Sequence, residues 1–129
     1  AKKWTIGYGN RRDVVEGMTI TEAEADRRLA DDIAAVEIGL KMLITGDLKQ
    51  NEFDALVSWA FNVGLTKAAT STLIRKLNKR EPGVSNQFLR WDKVRKGPGG
   101  ALVVSFGLAR RRLAEKQLFD GEISLSSYS

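Results

Sequence analysis

The chain has 129 residues, of which 43% are hydrophobic and 29% charged, and its formal net charge is +5 at neutral pH. This composition is typical of one globular domain, and no apolar stretch approaches the ~20 residues of a membrane span. Cysteine and histidine are both absent, which excludes disulfides, imidazole metal sites and serine–histidine catalysis. Any catalysis must therefore use carboxylates, hydroxyls, amides, lysines or arginines, and we expect neither a metal ion nor a cofactor.

The charge is unevenly distributed along the chain. Residues 1–64 carry 8 basic and 11 acidic side chains, whereas residues 65–129 carry 13 and 5. A basic half indicates a polyanionic partner such as nucleic acid, an anionic membrane surface or the bacterial cell wall. A well-solvated surface explains the same charge, so the charge alone does not choose a function.

The first third of the sequence predicts a β-hairpin followed by a long helix. Residues 4–9 interleave strand-forming side chains with glycines, and residues 13–17 supply a turn before a second strand. Thr21 and Glu24 then form a capping box, and apolar residues follow at helical spacing. The two predicted elements cover residues 1–20 and 21–45.

The remaining sequence predicts a helical lobe, without an internal repeat or a second domain. Apolar residues at helical spacing mark four segments, with Ser71 as one N-cap and Gly64 as a helix stop. These segments are residues 50–63, a short stretch after Ser71, residues 85–92 and residues 107–119. Residues 96–100 predict a loop, and the polar residues 120–129 predict a loose tail.

Two polar residues have both a structural and a functional interpretation. The glycines near Thr5 let a ligand approach closely, and the Thr5 hydroxyl could then position a water molecule. The neighbouring aromatic residues also fit an edge strand. Asn62 lies at the end of an apolar helix, where its amide must find hydrogen-bond partners, because an unpaired buried amide costs about 1–3 kcal/mol. It is either a helix-terminal cap or an amide that lines a cleft. The residues alone leave both choices open.

Three consecutive arginines open the last predicted helix: Arg110, Arg111 and Arg112. At about 100° per residue they cannot share one helix face. One interpretation is a solvated face with one buried ion pair. The other is that one or two arginines bind an anionic ligand bidentately.

Six segments, in this order along the chain, resemble those of the phage-type lysozymes, the endolysins of glycoside hydrolase family 24. They are residues 4–9 (WTIGYG), 20–25 (ITEAEA), 60–64 (AFNVG), 71–78 (STLIRKLN), 88–91 (FLRW) and 107–112 (GLARRR). The resemblance extends over about residues 4–120. Six blocks in order make it far more specific than any one motif.

The resemblance implies an α+β, mostly α, lysozyme-like fold, in which a long helix joins a small β-hairpin lobe to a helical lobe. It also implies hydrolysis of the β-1,4 bond between N-acetylmuramic acid and N-acetylglucosamine of bacterial peptidoglycan, in a cleft between the lobes. We expect one domain, divided into hairpin 1–20, connecting helix 21–45, helical lobe 50–119 and tail 120–129. We expect a monomer that binds peptidoglycan and not nucleic acid, made in the host cytoplasm and then released to the periplasm and cell wall.

The resemblance also assigns site residues. The family uses a Glu as general acid, an Asp, and a Thr that helps to place the attacking water, as in carboxylate-driven glycoside hydrolysis, and this Thr matches Thr5. Tyr8, Asn10, Asn62 and Arg110 are expected to bind substrate. The family's Glu and Asp precede its Thr, but the four residues before Thr5 include no acid, and Asn10 stands where the family often has His. We therefore expect a chain that begins partway through the family pattern and binds glycan without cleaving it.

Two other functions compete with that of a lysozyme. A catalytically inactive relative would bind peptidoglycan or serve as a structural or regulatory component. An unrelated basic helical domain would bind nucleic acid, but the basic residues are dispersed rather than arranged along one recognition helix. The six ordered blocks favour the lysozyme.

Overall fold

The computed structural model describes residues 21–124 of the chain. The hairpin predicted over residues 1–20 lies outside the described residues, as do residues 125–129. The described chain forms, in order, α1 (Glu22–Leu43), α2 (Gln50–Val63), α3 (Leu65–Ala69), α4 (Thr72–Asn78), a 3-10 helix (Ser85–Arg90), β1 (Lys93–Arg95), β2 (Leu102–Val104) and α5 (Phe106–Phe119). It is mostly helical with one small antiparallel sheet, which confirms the predicted fold class.

Helix α1 is the long helix that the capping box predicted. The Thr21 hydroxyl accepts a hydrogen bond from the Glu24 amide at 3.1 Å, and the helix ends at Leu43. Its buried residues are Ala25 and Leu40. Neither α1 nor any other helix between residues 21 and 124 is long and apolar enough to cross a membrane.

Helix α2 lies at the centre of the helical lobe and packs against α1 and α5. Its buried residues are Ala55, Leu56, Trp59 and Ala60. The fully buried Trp59 ring meets Phe88 and Trp91 edge-on, at centroid distances of 6.1 and 5.7 Å. This central position explains why apolar residues surround so much of the helix.

Two asparagines join helix ends that are distant in sequence. Asn78 Nδ2 donates to the Leu43 carbonyl at 2.8 Å, and Asn78 Oδ1 accepts from the Thr45 amide at 2.9 Å. Asn51 Nδ2 donates to two carbonyls at the end of α5, at 3.0 and 3.1 Å. Because the last carbonyls of a helix have no intrahelical partner, these amides hold α4 to α1 and α2 to α5.

Removing the Asn78 amide is expected to destabilise this junction. Asn78→Ala deletes both bonds, and we expect the free energy of unfolding to fall by about 1–2 kcal/mol, measured by urea denaturation. The matched control is Asn86→Ala, because Asn86 is exposed and such changes alter stability by about 0.5 kcal/mol or less. Equal effects of the two substitutions would show that Asn78 does not hold the helices together.

The structure defines three local features more closely than the sequence does. The loop predicted over residues 96–100 is the turn of a β-hairpin, whose strands have only three residues each and were too short to show an alternating pattern. Gly64 ends α2 with a φ of 94° and is at once the N-cap of α3, a helix that was not predicted. The short helix predicted over residues 85–92 is a 3-10 helix, Ser85–Arg90.

The chain around α5 is also more ordered than predicted. The helix begins directly after its N-cap Ser105, one residue earlier than expected. Beyond its end, Asp120 accepts a hydrogen bond from the Ser85 hydroxyl at 3.1 Å, and Ile123 packs against the core. The prediction of a loose tail over residues 120–129 is therefore wrong for its first part, and the rest lies outside the described residues.

Candidate substrate-binding groove

A groove of about 540 Å³ lies at the C-terminal end of α2. Besides three apolar side chains, it is lined by Asn62, Lys67, Arg90, Trp91, Lys93 and Arg95. Four of these six residues are cations and none is acidic. Between residues 21 and 124, no group of three or more carboxylates is arranged to hold a metal ion. The groove is therefore a candidate site for an anionic or polar ligand.

The β1–β2 hairpin supplies two of the four cations because of its register. Arg95 pairs with Leu102, and Lys93 stands on the same face two residues earlier. Val94 and Val103 form the alternate pair and belong to the opposite face. The hairpin thus presents both positive side chains to the groove.

Trp91 connects the groove to the hydrophobic core. Its ring lines the groove and meets the buried Trp59 ring at 74°, with 5.7 Å between centroids. Because protein interiors are closely packed, Trp59 supports the part of the groove wall that Trp91 forms.

Asn62 lies in the groove wall and also contacts α5. Gly64, and not Asn62, is the C-cap of α2, so the interpretation of Asn62 as a helix cap is wrong. Asn62 Oδ1 accepts a hydrogen bond from Arg112 Nη2 at 3.1 Å. The half-buried amide therefore lines the groove, and its role in binding substrate stays a prediction.

A buried ion pair lies behind Asn62. Arg112 is 0% exposed and Glu115 3%, with 2.9 Å between Arg112 Nε and Glu115 Oε1. The Ser58 hydroxyl and the half-buried Arg111 both donate to the other Glu115 oxygen. Burial raises the pKa of Glu115 and lowers the pKa of Arg112, because desolvation of the charges outweighs their attraction. Arg112 thus provides the buried ion pair foreseen for the three arginines.

Three buried donors near the groove make no hydrogen bond within residues 21–124: Trp59 Nε1, Arg112 Nη1 and Arg112 Nε. Arg112 Nε contacts Glu115 Oε1 only as an ion pair, at 2.9 Å. Leaving a buried donor unpaired costs about 1–3 kcal/mol. Both side chains support the groove wall, Arg112 through Asn62 and Trp59 through Trp91. These unpaired donors therefore lie behind the groove wall, in the buried side chains that support it.

The predicted site residues are only partly visible in this arrangement. Thr5, Tyr8 and Asn10 lie outside the described residues. Asn62 lines the groove, whereas Arg110 is exposed on α5 and does not line it. The assignment of Arg110 to substrate binding stays a prediction without support from the groove.

Sequence reasoning identified Asn62 and missed the five other polar and aromatic groove residues: Lys67, Arg90, Trp91, Lys93 and Arg95. Trp91 was counted as an apolar residue of a short helix, because its block gives no sign that this residue lines a groove. Lys93 and Arg95 alternate about Val94, but three residues are too few for this alternation to indicate a strand with one basic face.

The chain matches the family model described as phage lysozyme over residues 1–115. It is 40% identical to an endolysin of Acyrthosiphon pisum secondary endosymbiont phage 1, over 93% of this chain and 82% of that protein. It is 41% identical to an endolysin of Bacillus phage B103 over 92% of this chain, but it spans only 43% of that protein.

Two solved structures share the fold. An endolysin from Escherichia coli O157:H7 phage FAHEc1 superposes with a TM-score of 0.74 and 33% identity, over 84% of this chain and 68% of that one. The muramidase domain of SpmX from Asticaccaulis excentricus gives a TM-score of 0.72 and 32% identity, over 81% of this chain and 71% of that one.

Fold and relatives together define a glycoside hydrolase of the lysozyme type. The chain belongs to the phage lysozyme family, as the six sequence blocks predicted. Its function is that of a peptidoglycan-degrading lysozyme, and its place of action is the bacterial cell wall.

Proposed function

We propose that this chain forms the substrate-binding body of an endolysin muramidase, which hydrolyses the β-1,4 bond between N-acetylmuramic acid and N-acetylglucosamine. The observation that carries the proposal is the cationic groove beside Asn62, in the helical lobe of a lysozyme fold. Peptidoglycan is a polymer with carboxylates on its peptides, so a groove of positive charge fits it.

The reaction needs residues of three kinds. Thr5 is proposed to place the attacking water, with Tyr8, Asn10, Asn62 and Arg110 as binding residues. Protonation of the leaving oxygen needs a general acid, and a hydroxyl such as that of Thr5 is too weak an acid for this step. Because the four residues before Thr5 include no acid, we propose that the 129-residue polypeptide binds the wall without cleaving it.

The same observation favours a second candidate function, a wall-binding relative without hydrolytic activity. The two candidates differ in one property that is measurable. A muramidase body gains activity when the two family carboxylates are supplied before Trp4, whereas a binding protein whose cleft has changed does not.

The basic half of the chain is proposed to contribute to wall binding by electrostatics. Attraction between exposed charges is screened over about 8–10 Å at physiological salt. We expect the amount of protein that pellets with purified sacculi to fall at least tenfold when salt rises from low to high concentration. Retention that does not change with salt would contradict this contribution.

We propose that the protein acts as a monomer and that its partner is peptidoglycan and not nucleic acid. It is made in the host cytoplasm and reaches the wall after release to the periplasm. Light scattering during gel filtration tests the oligomeric state, and a gel-shift assay with duplex DNA at physiological salt tests the partner. A dimer mass or a shifted DNA band would contradict these two parts of the proposal.

A further inference from the structure

Arg112 fixes the direction of the Asn62 amide. A guanidinium donates hydrogen bonds and accepts none, so the Asn62 atom 3.1 Å from Arg112 Nη2 must be the oxygen. The Asn62 nitrogen is consequently the other end of the amide, and it donates to no residue within 21–124. Because Asn62 lines the groove, Nδ2 is the polar atom left for a ligand.

The surroundings of Arg112 prevent this direction from reversing. Arg112 is fully buried, and Glu115 holds it through Oε1 at 2.9 Å and Oε2 at 3.3 Å. Glu115 is itself held by the Ser58 hydroxyl and by Arg111. A flipped Asn62 amide would set its NH₂ group against a buried cation that has no acceptor, and would leave both groups unpaired.

The other polar side chains of the groove are donors as well. Lys67, Arg90, Lys93 and Arg95 carry only N–H groups, and a Trp indole likewise accepts no hydrogen bond. Asp92 lies 3.0 Å from the Lys93 ammonium and neutralises that one cation, while none of the groove residues within 21–124 is a carboxylate. With the Asn62 oxygen turned towards Arg112, the described side chains that line the groove offer donors and no acceptor.

We propose that this groove binds an acceptor-only anion, a carboxylate or phosphate group, and that Arg112 is the positioning residue that makes Asn62 a donor to it. Neutral sugar hydroxyls and amides both donate and accept, and so match a donor-only groove less well. The inference rests on the proposed function only for the source of the anion. In a bacterial wall the carboxylates belong to the peptide stems and the phosphates to wall polymers.

The direct test is an NMR titration of the 129-residue protein that follows the side-chain NH₂ signals of Asn62. The probes are N-acetyl-L-alanyl-D-glutamate, its diamide, inorganic phosphate and the neutral tetramer of N-acetylglucosamine. We expect the dicarboxylate to shift the Asn62 signals and to bind at least tenfold more tightly than the diamide or the tetramer. Phosphate binding as tightly as the dicarboxylate would assign the anion to a phosphate-bearing polymer, whereas weaker binding would assign it to a peptide stem.

Substitutions separate the donor from its support. Asn62→Asp keeps an oxygen for Arg112 but turns an anionic oxygen to the groove, and it should weaken dicarboxylate binding at least tenfold. The double variant Arg112→Met, Glu115→Leu removes the ion pair without leaving a lone buried charge. We expect this variant to keep its melting temperature. It should nevertheless bind the dicarboxylate several-fold more weakly than the unmodified protein, because the Asn62 amide is then free to turn.

A charge-matched pair of variants controls for general attraction. Lys67→Gln removes a groove cation, and Lys79→Gln removes an exposed cation that does not line the groove. Lys67→Gln should weaken dicarboxylate binding, whereas Lys79→Gln should change it only as much as any loss of one positive charge from the surface does.

Equal binding of the diamide, or Asn62 signals that do not move, would overturn the anion site. Unchanged binding by a folded double variant would overturn the role of Arg112. None of these titrations needs glycan cleavage, so they succeed or fail independently of the proposed muramidase activity.

Discussion

Replacing Trp59 by alanine is expected to lower the free energy of unfolding by about 3–5 kcal/mol. The side chain is fully buried in the central helix, and the rings of Phe88 and Trp91 rest against it. Its removal leaves a cavity that two aromatic rings held at fixed angles cannot fill. Urea denaturation with an unchanged m-value would measure the loss.

Met42→Ala on α1 is the control for this substitution, because the Met42 side chain is 83% exposed. It should change stability by about 0.5 kcal/mol or less. Since Trp91 lines the groove, Trp59→Ala should also weaken ligand binding at temperatures where the variant is still folded. A loss of stability below about 1 kcal/mol would contradict the central position of Trp59.

Breaking the buried ion pair is expected to have an effect of similar size. Arg112→Ala or Glu115→Ala leaves one buried charge without its partner, and each should cost about 3–5 kcal/mol. Replacing both residues with apolar side chains of similar volume, as in Arg112→Met with Glu115→Leu, should return stability to within about 1 kcal/mol of the unmodified protein. Additive losses in the double variant would show that the two residues act independently.

The ion pair also predicts how stability depends on pH. Burial raises the pKa of Glu115 above that of an unfolded chain, so the folded state binds this proton more tightly. Its contribution to stability is complete below the ordinary carboxyl pKa and is lost as the pH rises through the raised value. The unmodified protein should therefore gain stability relative to the double variant when the pH falls from neutral towards 4, as measured by urea denaturation in parallel. A constant difference would contradict the raised pKa.

The helices were predictable from the sequence because their signals are local. Thr21 and Glu24 mark the start of α1, and apolar residues repeat at helical spacing along α2 and α5. Ser71 caps α4 through the Ile74 amide as predicted. Each of these features depends on residues within a few positions of one another.

The groove was not predictable in the same way, because its residues meet only through tertiary packing. Arg112 and Asn62 are 50 positions apart, and no local pattern shows which of three consecutive arginines faces inward. The hairpin strands are too short for a pattern of alternation to stand out from the surrounding polar residues. Family resemblance supplied Asn62, while the structure supplied the partner that gives its amide a direction.

Digestion of purified sacculi tests the central claim most directly, that this chain is the substrate-binding body of a muramidase. The 129-residue polypeptide is compared with an extended version, which carries an N-terminal helix ending in Glu and a strand bearing Asp before Trp4. The readout is the release of muropeptides that have new N-acetylmuramic acid reducing ends. We expect binding without release from the first, and release increased by about 10²–10⁴-fold in the second, the usual contribution of general acid–base catalysis. The account would be contradicted if the 129-residue polypeptide released muropeptides and Asp13→Asn or Glu16→Gln abolished that release. It would also be contradicted if the extended version folded and bound the wall but released nothing.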